Sequence, residues 1–109
     1  MPVIDLATFS ELQGSAGAEF VAELIGTFLE EAPLMLAELR AAQAAASAER
    51  FRRAAHSLKS NANTFGALRF GAMARELELG GLVADGAALD RLDAEYAAVA
   101  ARLRSLRGG

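Results

Sequence analysis

Cysteine is absent from the sequence and histidine occurs once. The first absence excludes a disulfide framework and a thiolate metal site. The second leaves no histidine cluster for a metal, which needs three or four ligands, so neither a metal nor a cofactor is expected. No stretch approaches ~18 uninterrupted apolar residues, so no membrane-spanning helix is expected. The start, Met1 to Leu6, lacks the positive region and apolar run of a secretion signal. Eleven basic residues are dispersed among fourteen acidic ones for a net charge of −3, which argues against nucleic acid as a partner. The cytoplasm is the expected compartment, in keeping with the missing cysteines.

A hydrophobic fraction of 53% against 23% charged places the chain among folded proteins. Much of that fraction is alanine, which favours helix and close helix packing, and no β-alternation is visible. With two prolines and glycines gathered mostly between helical patterns or at the ends, the sequence predicts an all-α fold in a single domain over residues 1–109.

Taken in order, residues 1–7 are expected to be an extended lead-in. Thr8 to Glu11 has the form of a capping box, opening a short helix to about Gln13 that the run Gly14 to Gly17 breaks. From Ala18 to about Ala46, the apolar positions Phe20, Leu24, Phe28, Ala32, Met35, Leu39, Ala42 and Ala46 keep steps of three or four. The phase does not reset at Pro33, so one long kinked helix is predicted despite the hydrogen bond a proline removes. Ser47 is the expected N-cap of the next helix and Gly66 its stop. A further helix is predicted from Leu68 to about Val83, with Phe70, Met73 or Ala74, and Leu77 inward. The last carries Leu89, Leu92, Tyr96, Val99, Leu103 and Leu106 on one stripe. Four substantial helices with short connections predict an antiparallel four-helix bundle capped by a short N-terminal helix.

The stretch Ala54 to Gly66 holds the one histidine. Phe51, Ala55, Leu58, Ala62 and Phe65 recur at helical spacing and define a buried face. His56 lies roughly 140° from the centre of that face, with Ser60 and Asn63 beside it and Lys59 about 60° to one side. Its imidazole is therefore expected to face water, where it offers a nucleophilic lone pair near neutral pH. No second catalytic group, nucleotide loop or metal constellation accompanies it, so an enzyme acting alone is not expected.

The run His56-Ser57-Leu58-Lys59-Ser60-Asn61-Ala62-Asn63-Thr64-Phe65-Gly66 resembles the motif of the histidine phosphotransfer (HPt) domain family, roughly His-x-Leu-Lys-Gly/Ser-Ser-Ser/Ala-x-x-hydrophobic-Gly. The resemblance extends from Phe28–Pro33 to Leu77 and Glu78. Ser60, where many members have glycine, and Asn61, where serine is common, depart from the pattern without removing a reactive group. The resemblance implies a phosphorelay intermediate with His56 as phosphoacceptor. Its partners would be response-regulator receiver domains and a hybrid histidine kinase, with magnesium needed only on the receiver, and it would act as a monomer. It further implies that Lys59 screens the phosphate and that Glu78, on the following helix, holds Nδ1 and leaves Nε2 to attack. Ser60 would leave clearance for the partner, and Asn63 would be a polar neighbour at the same surface. The alternative is a helical adaptor that binds a receiver or kinase without being phosphorylated.

Overall fold

The computed structural model describes residues 2–108, and among these only helices and their connections occur. Five helices follow one another: α1 (Leu6–Ala16), α2 (Ala18–Ala44), α3 (Ala48–Thr64), α4 (Leu68–Gly80) and α5 (Ala87–Leu106). The last four form a closed ring in which α2 packs on α3, α3 on α4, α4 on α5 and α5 on α2, while α1 lies against α2 and α3. This is the expected four-helix bundle with an N-terminal helix added.

Pro33 sits inside α2 without interrupting it. A proline has no N–H, so the carbonyl four residues earlier, Leu29, loses its helical donor. The Tyr96 hydroxyl on α5 points to that carbonyl at 3.4 Å, a long contact but one aimed at the freed acceptor. Tyr96 also joins a cluster of tilted rings, with centroids 6.1 Å from Phe28 and 6.2 Å from Phe70; Phe28 in turn lies 5.5 Å from Phe65. Offset and tilted pairs at these distances are favourable, and they tie all four bundle helices together near the proline.

Several boundaries differ from the sequence expectation. The N-cap of α1 is Asp5, whose carboxylate accepts from the Thr8 N–H at 3.1 Å and from the Thr8 hydroxyl. Thr8 is thus the third helical residue and Glu11 has no capping role; aspartate is as good a cap as threonine and stands where the chain enters the helix. Ile4 in the lead-in is buried. The helix continues through Gly14 and stops at Gly17, whose φ of 92° no L-residue adopts readily. Along the first half of α2 the buried series is Val21, Ile25, Phe28 and Ala32, leaving Phe20 exposed. Phe20 and Val21 are ~100° apart on the helix, and it is Val21 that joins the core. Ala46 is exposed in the turn after α2. The fourth helix ends at Gly80 with Gly81 at φ 78°, short of Val83. Val83 is instead held by the Gln43 side chain, which donates to its carbonyl at 2.7 Å and accepts from its N–H at 3.0 Å.

The helix that carries the histidine matches expectation closely. Ser47 caps it by accepting from the Arg50 N–H. At its other end Gly66, with φ 85°, closes a Schellman turn: the Gly66 N–H reaches Asn63 O and the Ala67 N–H reaches Ala62 O. The Gly66 carbonyl then accepts from Asp5 N–H at 2.8 Å. A Cβ at residue 66 would lie 2.7 Å from the Asp5 carbonyl oxygen, so glycine is required twice over. Phe51, Ala55, Leu58, Ala62 and Phe65 are all buried, and truncating a phenylalanine such as Phe51 to alanine costs ~3–5 kcal/mol.

Candidate functional site

With one face of α3 fixed in the core, His56 is turned outward, its side chain 55% exposed. Helix α4 runs back alongside α3 and brings Glu78 under the ring. Glu78 Oε2 is 2.7 Å from His56 Nδ1, and Oε1 is 2.7 Å from Lys59 Nζ. The second contact is an ion pair made off the hydrogen-bonding direction. The glutamate side chain is 12% exposed, so imidazole and ammonium cover a carboxylate that would otherwise be costly to hide.

The electrostatics follow from those two partners. The Lys59 ammonium first, and His56 second, hold the Glu78 carboxyl below its ordinary range and outweigh the opposing effect of burial. A carboxylate that stays ionised accepts only, so the nitrogen facing it carries the ring proton. Nε2 has no partner among the described residues. The imidazole, the carboxylate beneath it and the ammonium beside it thus come from two helices, placed by a stripe of alanine, leucine and phenylalanine.

The other expected site residues fall as follows. Lys59 is 24% exposed and lies on the Glu78 side of the ring, its charge engaged by that carboxylate. Ser60 is exposed on the same face as His56, and its carbonyl accepts from the Thr64 hydroxyl at 3.0 Å. Asn63 is exposed, yet its amide rests on Gly71 of α4, where any Cβ would collide with it. Gly71 is itself buried, so Asn63 fills the space that a glycine leaves between two closely packed helices. Three of the five, His56, Lys59 and Glu78, form one contact network; Ser60 and Asn63 flank it.

Charge along α3 was hidden by the whole-chain average. The helix carries Arg50, Arg52, Arg53 and Lys59 against Glu49 alone, inside a protein of net charge −3. The signal was available in Arg50 to Arg53, one turn before His56. Among the described residues no group of three or more His, Cys, Asp or Glu side chains is arranged to hold a metal ion, and no helix is long and apolar enough to cross a membrane.

The model of the Hpt domain matches residues 23–102, which include every member of this network. The chain belongs to the Hpt domain family. It is also similar to the crystal structure of histidine-containing phosphotransfer protein B (HptB) from Pseudomonas aeruginosa PAO1, with 27% sequence identity and a TM-score of 0.89 over 98% of this chain and 96% of that one. No curated protein matches it. The Hpt match covers α3 and α4 whole, so the motif read in the sequence and the contact of His56 with Glu78 both lie within the matched residues.

Proposed function

We propose that this Hpt chain is a phosphorelay intermediate in which His56 Nε2 takes a phosphoryl group from the aspartyl phosphate of one receiver domain and delivers it to the aspartate of another. The observation that carries the reading is the 2.7 Å contact of Nδ1 with Glu78 beneath a half-exposed ring. In the forward step the Nε2 lone pair attacks phosphorus, the bond from phosphorus to the aspartyl oxygen breaks, and that electron pair leaves with the aspartate carboxylate. The ring gains positive charge as the new bond forms, and the ionised Glu78 at Nδ1 stabilises it. Return to a second carboxylate runs the same path backwards.

The chain supplies a nucleophile and its orientation. Magnesium and its acidic pocket belong to the receiver in this reading, and in-line positioning of the phosphoryl group is the partner's contribution. Lys59 acts with Glu78, Ser60 leaves room for the partner's loops, and Asn63 borders the docking face. A hybrid histidine kinase at the head of the relay, a monomeric chain of one domain and a cytoplasmic setting complete the proposal.

Incubation with receivers charged by acetyl phosphate tests it. The parent chain is expected to gain an acid-labile, base-stable phosphate, and His56→Gln to gain none while its helical circular dichroism is unchanged. Labelling that persists in His56→Gln would overturn the assignment. A parent chain that binds receivers but is never labelled would make it an adaptor.

A further inference from the structure

Of the four cations on α3, two are committed. Arg50 spends its fork on Glu38, Nε to Oε2 at 3.0 Å and a terminal nitrogen to Oε1 at 2.9 Å, and Lys59 pairs with Glu78. Arg52 and Arg53 are exposed and have no ion-pair partner among the described residues. Glu38 feels the field of Arg53, but both of its oxygens are occupied by Arg50. Arg52 and Arg53 precede His56 by four and three residues, which sets them about 40° to one side of it and about 60° to the other. Their Cβ atoms are then ~5–6 Å from that of His56. Neither makes a side-chain hydrogen bond or ion pair among the described residues.

Arg53 also lines an open groove between α2 and α3, together with Leu34, Met35, Ala54 and Ser57. Leu34 is 64% exposed there. Further along the same two helices the lining changes to Glu31, Asn61 and Thr64. At the first end Glu38 is paired with Arg50 and the charge of Arg53 is left over, so the lining between α2 and α3 is net positive there and negative at the Glu31 end.

We propose that Arg52 and Arg53 are a docking pair that captures the anionic, aspartyl-phosphate-bearing surface of a receiver domain and sets its approach to His56. The proposal rests on the phosphorelay reading and adds to it the residues that select the partner's charge. Any donor must bring a phosphoryl dianion and its flanking carboxylates up to Nε2. A guanidinium presents a planar fork that matches both groups. Exposed charges of this kind act on encounter more than on chemistry, and salt screens them over ~10 Å at 0.1 M. The negative end at Glu31 disfavours the reversed orientation.

The test uses the full chain and a receiver that labels the parent, with transfer followed at several ionic strengths. Arg52→Gln/Arg53→Gln is expected to lower kcat/KM about tenfold at low salt, through KM, and to flatten its salt dependence. Direct labelling of His56 by the small donor phosphoramidate should be unchanged. Arg102→Gln/Arg104→Gln removes the same charge from exposed positions on α5, which does not touch α3, and should leave kcat/KM within about twofold. Equal losses in the two double variants would reduce the effect to net charge and overturn the proposal, as would a salt dependence identical to the parent's. If phosphoramidate labels the parent but no receiver does, the relay reading fails and the docking pair with it. Labelling by a receiver with no response to the arginines sinks the docking pair alone.

Discussion

Glu78 and Glu95 stand on neighbouring helices, have side chains 12% and 10% exposed, and each faces a cation from an adjacent helix. Glu95 Oε1 is 3.0 Å from Arg69 and its Oε2 is buried without a partner among the described residues. Glu78 places one oxygen on Lys59 and the other on the imidazole. Burial beside a cation thus makes only a tie between helices. Glu78 differs in having a second partner with two faces, an exposed ring with one nitrogen held from below and the other without a partner among the described residues.

Substitutions sharpen that comparison. The largest expected effect on transfer after loss of His56 itself is that of Glu78→Ala, which frees the ring and removes the negative charge that stabilises the developing cation; it should slow transfer on the order of tenfold or more. Lys59→Ala should act in the same direction but less, because Glu78 keeps its contact with Nδ1. Glu95→Gln should lower the melting temperature while leaving the transfer rate within about twofold. Rates from a phosphorylated receiver and thermal melts on the three variants check the order. A transfer defect in Glu95→Gln equal to that of Glu78→Ala would erase the distinction.

The pH dependence of stability tests the Glu78 contacts separately. Because the folded-state value of Glu78 is depressed below 4.5, its ionised form contributes stability that is fully present above the ordinary carboxylate range and is lost as pH falls through the lowered value. The melting temperature of Glu78→Gln should therefore lie below the parent's near neutrality, and the gap should close as pH falls through the acid range below 4.5. A gap that widens on acidification would contradict the assigned sign.

Much of this was legible in the residues. The face of α3 could be read because five apolar positions oppose a run of polar ones, and the end of α3 because one glycine follows the last inward residue. Continuity through Pro33 followed from the unbroken phase; the tyrosine that meets Leu29 did not, since it lies 67 residues away. Nothing in periodicity joins residue 56 to residue 78. That pairing came from the family resemblance, and its geometry exists only once α3 and α4 pack. Phe20 and Val21, like Thr8 and Asp5, are neighbours of equal local merit, and tertiary packing decides between them. Gly71 would ordinarily count against a helix; its use is to let Asn63 and α3 come close.

If Glu78 fixes the ring through Nδ1, phosphorus is taken on Nε2. Nitrogen-15 and phosphorus-31 NMR of the phosphorylated chain reads this directly. The expected spectrum shows a coupling from phosphorus to Nε2 with the proton retained on Nδ1; phosphate found on Nδ1 would rule out Glu78 as the group that orients the ring.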